Sequence, residues 1–310
     1  MQVRILDLDG GVARQPRLRQ RARQCLPLLP WGPRLRMGCS WAAFRRFEAD
    51  LAGLAQGNRD RQTTVTFVGS GDFHHVSLAL LARQPRLCNV LVIDNHPDWV
   101  RRVPFLHCGT WLAHAARLPQ VHRIFHVGGD VDFDNHYRWL APWDLLASGK
   151  VRVLPAVRTF RGAGWRTVPH APLRLAPDVL ARRRDVERLL DPWRDDLESL
   201  PLYVSLDRDV LCPQQAVVNW DSGRLQVSEV LSVVGAFLDA SASLAAADVV
   251  GDWSPVRVSG VLRRFLHHTE HPRLAVDPDH ARQVNEELNL TLLDTLAAAR
   301  KVSSARRLAA

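Results

Sequence analysis

Lysine is nearly missing from this chain: Lys150 and Lys301 are its only two, against 41 basic residues in all. The net charge of +9 is therefore carried by arginine. The arginine clusters at 14–23 and 182–184 have no interleaved aromatic residues and no nucleic-acid motif. Their arginine reads as a compositional bias, and no nucleic-acid partner is expected. No apolar stretch approaches the ~18 residues that cross a bilayer, so no membrane partner is expected either. Residues 1–7 lack the basic region and long apolar core of a secretion signal, which makes a soluble cytoplasmic protein the expectation. The five cysteines (Cys25, Cys39, Cys88, Cys108, Cys212) are scattered, with no CxxC spacing. They read as free thiols and not as a disulfide frame. There is no internal repeat and no linker rich in Gly and Ser.

What is present is enough apolar residue, 46% of 310, to fill one large core. Short apolar runs alternate with helix-spaced segments. Strands are expected at Val3–Leu8, Val65–Val68, Val90–Ile93, Val121–Val127, Val151–Leu154, Leu202–Leu206 and Ala246–Val250. Helices are expected at about Trp41–Leu54, Val76–Ala82, Thr110–Ala116, Asp178–Leu190, Ser228–Leu238 and His280–Arg300. Residues 12–37, rich in Pro and Arg, read as an irregular connection, and 158–177 as a long loop near the site. Strands separated by helices imply an α/β fold, three-layer α/β/α with a mostly parallel central sheet, and residues 1–310 are expected to form one domain.

Three of these strands end in ligand-type side chains. Val90–Ile93 runs into Asp94-Asn95-His96-Pro97-Asp98, Leu202–Leu206 into Asp207-Arg208-Asp209, and Val65–Val68 is followed by His74-His75. The carboxyl ends of parallel strands share one edge, where ligands bind. An aspartate at a strand end often caps the next helix, so each alone is ordinary. Asp94, His96 and Asp98 at alternate positions put three ligand types on one side if the backbone stays extended. Asp207 and Asp209 repeat the spacing. Carboxylates gathered at a buried edge would repel one another and protonate without a cation between them. The set reads as a metal site, for two ions. Of the histidine pair, His74 is favoured over His75. Gly69-Ser70-Gly71 lacks the lysine of a phosphate loop.

These residues resemble the ureohydrolase family of arginase, agmatinase and their relatives. The family's three signatures match Gly69-Ser70-Gly71-Asp72-Phe73-His74, Asp94-Asn95-His96-Pro97-Asp98 and Ser205-Leu206-Asp207-Arg208-Asp209-Val210-Leu211-Cys212-Pro213, in the same order. The first is degenerate, because Phe73 follows Asp72 and His74 is reached by a one-residue shift. The resemblance implies an arginase-like fold, a homo-oligomer and two divalent ions, with manganese expected. One ion would take His74, Asp94, Asp98 and Asp207; the other would take Asp94, His96, Asp207 and Asp209. It implies a hydroxide shared by the ions that attacks the carbon of a small guanidino substrate, giving urea and an amine.

His107, in Leu106-His107-Cys108-Gly109, resembles the family's proton-shuttling histidine, with a pKa expected near neutrality. Asp248-Val249-Val250-Gly251-Asp252-Trp253-Ser254-Pro255 resembles the late strand whose acid pairs with the guanidinium. Gly251 or Asp252 takes that place, depending on the end from which one counts. Asp132 resembles an aspartate directed at the substrate amine. Asn219-Trp220-Asp221 replaces a Gly-rich stretch, where an indole could stack on a cationic group. The candidate catalytic residues are thus His107, Asp209 and Asp252, and the candidate substrate contacts Asp132, Asn219, Trp220 and Asp252. Competing readings are a one-zinc deacetylase of the same superfamily, a non-catalytic binding relative, and a metallophosphoesterase. Cys108 beside His107 makes a poor thiol nucleophile, since neighbours on a loop seldom face each other.

Overall fold

The computed structural model describes residues 1–55, 63–100, 104–128, 139–154, 156, 179–258, 260–272 and 275–309. Its strands are β1 (Gln2–Asp7), β2 (Gln24–Pro27), β3 (Gly38–Cys39), β4 (Thr64–Gly69), β5 (Cys88–Asp94), β6 (Leu106–His107), β7 (Val121–Gly128), β8 (Val151–Leu154), β9 (Leu202–Asp207) and β10 (Leu244–Val250). Its helices are α1 (Pro16–Arg21), α2 (Gly32–Leu35), α3 (Trp41–Leu54), α4 (Val76–Ala82), α5 (Trp111–Ala115), α6 (Trp143–Ala147), α7 (Arg183–Leu190), α8 (Arg194–Ser199), α9 (Val227–Ala240), α10 (Val261–Glu270) and α11 (Pro278–Ala309).

Eight strands form one sheet in the order β2-β1-β4-β10-β9-β5-β7-β8, and every neighbouring pair is parallel. β3 and β6 form a separate antiparallel ribbon. Side chains alternate between the two faces of a strand, so a strand covered on both sides must be apolar throughout. β5 is buried at all seven residues and apolar from Val90 to Ile93, with Asn89 and Asp94 near its ends. Val90 and Val92 pack with Val76, Trp111 and Leu112 on one face of the sheet. Leu91 and Ile93 pack with Phe125, Leu206, Phe237 and Leu293 on the other. Helices lie against both faces, giving the expected three layers.

Topology positions the site. β9 and β5 are central neighbours, with Ile93 opposite Leu206, so Asp94 and Asp207 leave the sheet side by side at its carboxyl edge. β4, two strands over, delivers the His74 segment to the same edge.

The connection expected over residues 12–37 is more ordered than its composition implies. Pro16 opens α1, a position where its missing N–H costs nothing. β2 then pairs with β1, Arg4 opposite Gln24. A four-residue edge strand ending in proline has no apolar period to betray it. α8 and α10 also lie outside the expected helices, and α11 runs past the expected end. The segment 158–177 lies outside the described residues.

Candidate metal centre

The turn after β4 explains how the shifted histidine reaches the edge. Gly71–Phe73 forms a single 3-10 turn, in which Ser70 Oγ accepts from the Asp72 amide. Phe73 goes into the core, Asp72 turns to Arg36, and His74 turns toward the carboxylates. His74 Nδ1 lies 3.0 Å from Asp94 Oδ2, 2.9 Å from Asp98 Oδ2 and 3.4 Å from Asp207 Oδ2. His75 is equally buried but stands apart from the cluster, against Phe44, with both ring nitrogens unpartnered. Burial, then the charges of His107 and His74, push its pKa down to about 3.

The second segment does not run extended, as the alternating spacing implied. β5 stops at Asp94, whose Oδ1 accepts from the His96 amide at 2.8 Å, and Asp98 sits at φ +52°. A turn, and not a strand extension, brings the three side chains together. Asp98 is oriented by the Trp111 indole N–H, 2.9 Å from its Oδ2. His96 Nδ1 lies 2.8 Å from Asp209 Oδ2 and 4.0 Å from Asp94 Oδ1.

After β9, Arg208–Val210 forms another 3-10 turn, with Asp207 Oδ1 accepting from the Asp209 amide at 3.0 Å. This throws Asp207 and Asp209 to the cluster while Arg208 points the other way. Two glycines leave room for Asp207. A Cβ on Gly71 would stand 2.9 Å from Asp207 Oδ2. One on Gly251, which has φ +89°, would stand 2.3 Å from Asp207 Oδ1 and 2.7 Å from the Arg208 amide nitrogen. No acidic side chain can occupy position 251 without displacing Asp207.

The described residues therefore contain two sets of converging ligand atoms, His74/Asp94/Asp98 and Asp94/His96/Asp209, which share Asp94. Separations near 3 Å suit neighbouring ligands that each sit about 2.1 Å from one divalent ion. A further sign of fit is that His74 Nδ1 and Asp94 Oδ2, both buried and 3.0 Å apart, make no well-aligned hydrogen bond. Buried polar atoms rarely remain so, and a cation between them satisfies both.

The electrostatics agree. Burial raises Asp207 well above the usual carboxylate range, and the charges of Asp209 and Asp94 add to it. Asp209 is raised by burial and then by Asp94. Burial works against protonating the histidines, but contact with Asp94 and Asp98 lifts His74 well above the ordinary imidazole value. Asp209 followed by Asp94 does the same for His96. Two imidazolium protons thus stand where divalent charge would serve better.

The remaining candidates divide. His107 ends β6, and its Nδ1 accepts from the Gly109 amide at 3.0 Å. Burial pushes its pKa down to about 4, so the near-neutral titration expected of it is corrected: the ring is uncharged at neutral pH. Asp252 is corrected as a substrate-pairing acid. It is buried in an ion pair with Arg208 (2.7 Å) and accepts hydrogen bonds from Gln15, Asn285 and Asn289. With its charge balanced and both oxygens engaged, it secures α11 instead of facing the cluster. Asn219 also spends its amide internally, on the Ser254 N–H and C=O at 3.0 Å each. Trp220 does stand at the site, its ring 5.6 Å from that of His96 and 4.8 Å from that of His271. Its indole N–H donates to Asp72 at 3.0 Å. Asp132 lies outside the described residues.

Several residues here escaped the sequence reading. Asp72, whose pKa is held low by Arg36 and then His271 despite its burial, anchors Trp220. Ser205 and Asp248 sit behind His74. A lone carboxylate inside the otherwise apolar β10 was the available signal for Asp248; His271 had none.

No family model matches the chain. An uncharacterized protein of Thermotoga maritima is 26% identical over 170 residues, 55% of this chain and 51% of that protein, so the match spans about half the length of the curated relative. Among solved structures, the arginase of Bacillus subtilis matches with TM-score 0.53 and 15% identity, over 96% of this chain and 98% of that one. Proclavaminate amidino hydrolase of Streptomyces clavuligerus matches with TM-score 0.52 and 17% identity, over 93% and 91% of the two chains. Formimidoylglutamase of Bacillus subtilis gives TM-score 0.51 and 14% identity, over 83% and 68%. The parallel sheet flanked by helices and this likeness together establish that the chain has an arginase/ureohydrolase-like fold.

Proposed function

We propose that this chain is a binuclear metal-dependent hydrolase that cleaves a C–N bond of a small guanidino compound, giving urea and an amine. The observation that carries the reading is the pair of converging ligand sets sharing Asp94. His74, Asp94, Asp98 and Asp207 hold one ion; Asp94, His96, Asp207 and Asp209 hold the other. Manganese is the proposed metal, in keeping with a carboxylate-rich donor set. When bound, paired divalent ions lower the pKa of water and so supply a nucleophile at neutral pH.

The chain's own residues do the rest. Asp209 accepts from the Asn95 amide at 3.1 Å and stands 2.8 Å from His96 Nδ1, the spacing of neighbouring ligands of one ion, which fixes the second ligand set. Trp220 offers its indole face beside His96, where a planar cationic guanidinium can stack. His107 is the proposed proton carrier for the leaving amine. The uncharged ring holds its proton on Nε2 while Nδ1 accepts the Gly109 N–H. It first takes the proton lost by the attacking water onto Nδ1, releasing Gly109, and then passes one to the amine. The single domain, the cytoplasmic location and the homo-oligomer belong to the same proposal. The second ligand set favours this reading over a one-zinc deacetylase, which has no use for both Asp98 and Asp209.

The test is urea release from a panel of guanidino compounds by Mn(II)-loaded protein, beside an Asp94→Asn/Asp207→Asn control. Urea from the unaltered protein alone is the expected outcome. Two bound ions without urea from any compound would remove the hydrolase assignment.

A further inference from the structure

The two ring nitrogens of His74 have opposite surroundings. Nδ1 faces three carboxylates, while Nε2 meets a single hydroxyl, Ser205 Oγ, at 3.1 Å. That hydroxyl donates to Asp248 Oδ1 at 2.9 Å. The same carboxylate accepts from Ser77 Oγ at 2.8 Å and from the Tyr203 hydroxyl at 2.5 Å. Ser205 and Asp248 are register partners on β9 and β10, Ser77 comes from α4, and all of these residues are buried.

A serine hydroxyl has one proton to give. Because Ser205 gives it to Asp248, the side of Ser205 Oγ that faces His74 is an acceptor, and the imidazole nitrogen opposite must carry hydrogen. We infer that Asp248, acting through Ser205, is the positioning residue that keeps the proton of His74 on Nε2 and so presents the Nδ1 lone pair to the ion held with Asp94 and Asp98. The metal half of this inference rests on the binuclear reading; the proton half does not.

His96 is held differently. Its Nδ1 contacts Asp209, its ring packs on Trp220, and its side chain is 30% exposed. The buried hub thus preorganises one ligand set and not the other. Outer hydrogen bonds to a ligating histidine change metal affinity by about 10–100-fold when removed. Loss of the hub should therefore weaken one ion only.

The experiment combines Mn(II) titration by calorimetry with NMR of the His74 Nε2–H in the full chain. In the unaltered, metal-free protein the Nε2–H is expected to exchange slowly with solvent. Ser205→Ala and Asp248→Asn should each speed that exchange at least about tenfold and weaken one of two ions by about 10–100-fold. The other ion should stay within about threefold. Ser205→Thr, which keeps the hydroxyl, should restore both readouts. Unchanged exchange in Ser205→Ala overturns the positioning role, whether or not metal binds. Equal weakening of both ions, or of neither, overturns it as well. A protein that binds no ion but shows protected Nε2–H in the unaltered chain alone would refute the binuclear reading and uphold the proton placement.

Discussion

Replacing Gly251 with alanine tests the steric account of the centre without touching any proposed ligand. The residue has φ +89°, where an L side chain costs about 1–2 kcal/mol. The added methyl would stand 2.3 Å from Asp207 Oδ1 and 2.7 Å from the Arg208 backbone nitrogen. To restore an ordinary contact near 3.4 Å, the carboxylate must retreat by about 1 Å and the turn after β9 must move with it. Packing strain of this kind adds about 1–3 kcal/mol, for a total of roughly 2–5 kcal/mol. At about 2–4 °C per kcal/mol, melting of the metal-free protein should drop by roughly 4–20 °C. Because Asp207, like Asp94, is assigned to both ions, misplacing it by about 1 Å should also cost about 100-fold in urea release. The assays are thermal denaturation with and without EDTA, metal content by mass spectrometry, and urea formation. A Gly251→Ala protein that melts within about 1 °C of the unaltered one and keeps two ions would refute the crowding of Asp207 as described. Gly251→Glu should behave no better, although it places an acid where the resemblance expects one.

Three further outcomes follow from the same geometry. Asp94→Ala should abolish binding of both ions, while Asp98→Ala and Asp209→Ala should each lose one, since of these three only Asp94 belongs to both converging ligand sets; equal stoichiometry in all three variants would contradict the shared ligand. His107→Ala should slow urea release by ~100-fold with metal content unchanged, and an unaltered rate would pass proton transfer to solvent. The metal-free protein should lose stability as pH rises. His74 and His96 are raised, so their contribution is complete below about pH 6.5 and fades as pH climbs through their raised values. Asp207 and Asp209, raised too, act in the same direction from about pH 4 upward. Cations displace these protons, so the gap in melting temperature between Mn(II)-loaded and metal-free protein should widen from pH 6 to 8. A gap that narrows over that range would count against the ligand set.

The strands that carry the site were legible because their signal is local. Val90–Ile93 and Leu202–Leu206 are apolar on both faces, and only a strand buried within a parallel sheet needs that composition. The acidic residues at their ends stood out against it. β2 and α10 were not legible, since a short edge strand and an exposed helix leave their apolar pattern incomplete. The roles of Asp252 and Asn219 were misread for a different reason. Sequence shows that a carboxylate or amide is present, not whether its oxygens are already taken, and Arg208, Asn285 and the Ser254 backbone take them.

The sequence by itself determined which side chains could reach the carboxyl edge of the sheet, because chain order and apolar runs dictate where strands end. Only the tertiary structure decided how they meet there: that a 3-10 turn gives His74 and not His75 to the cluster, that Asp98 arrives by a left-handed turn, and that Gly251 yields its space to Asp207. Local pattern governs the making of an element. The aim of a side chain beyond the element's end depends on contacts with segments more than a hundred residues away, which no local pattern records.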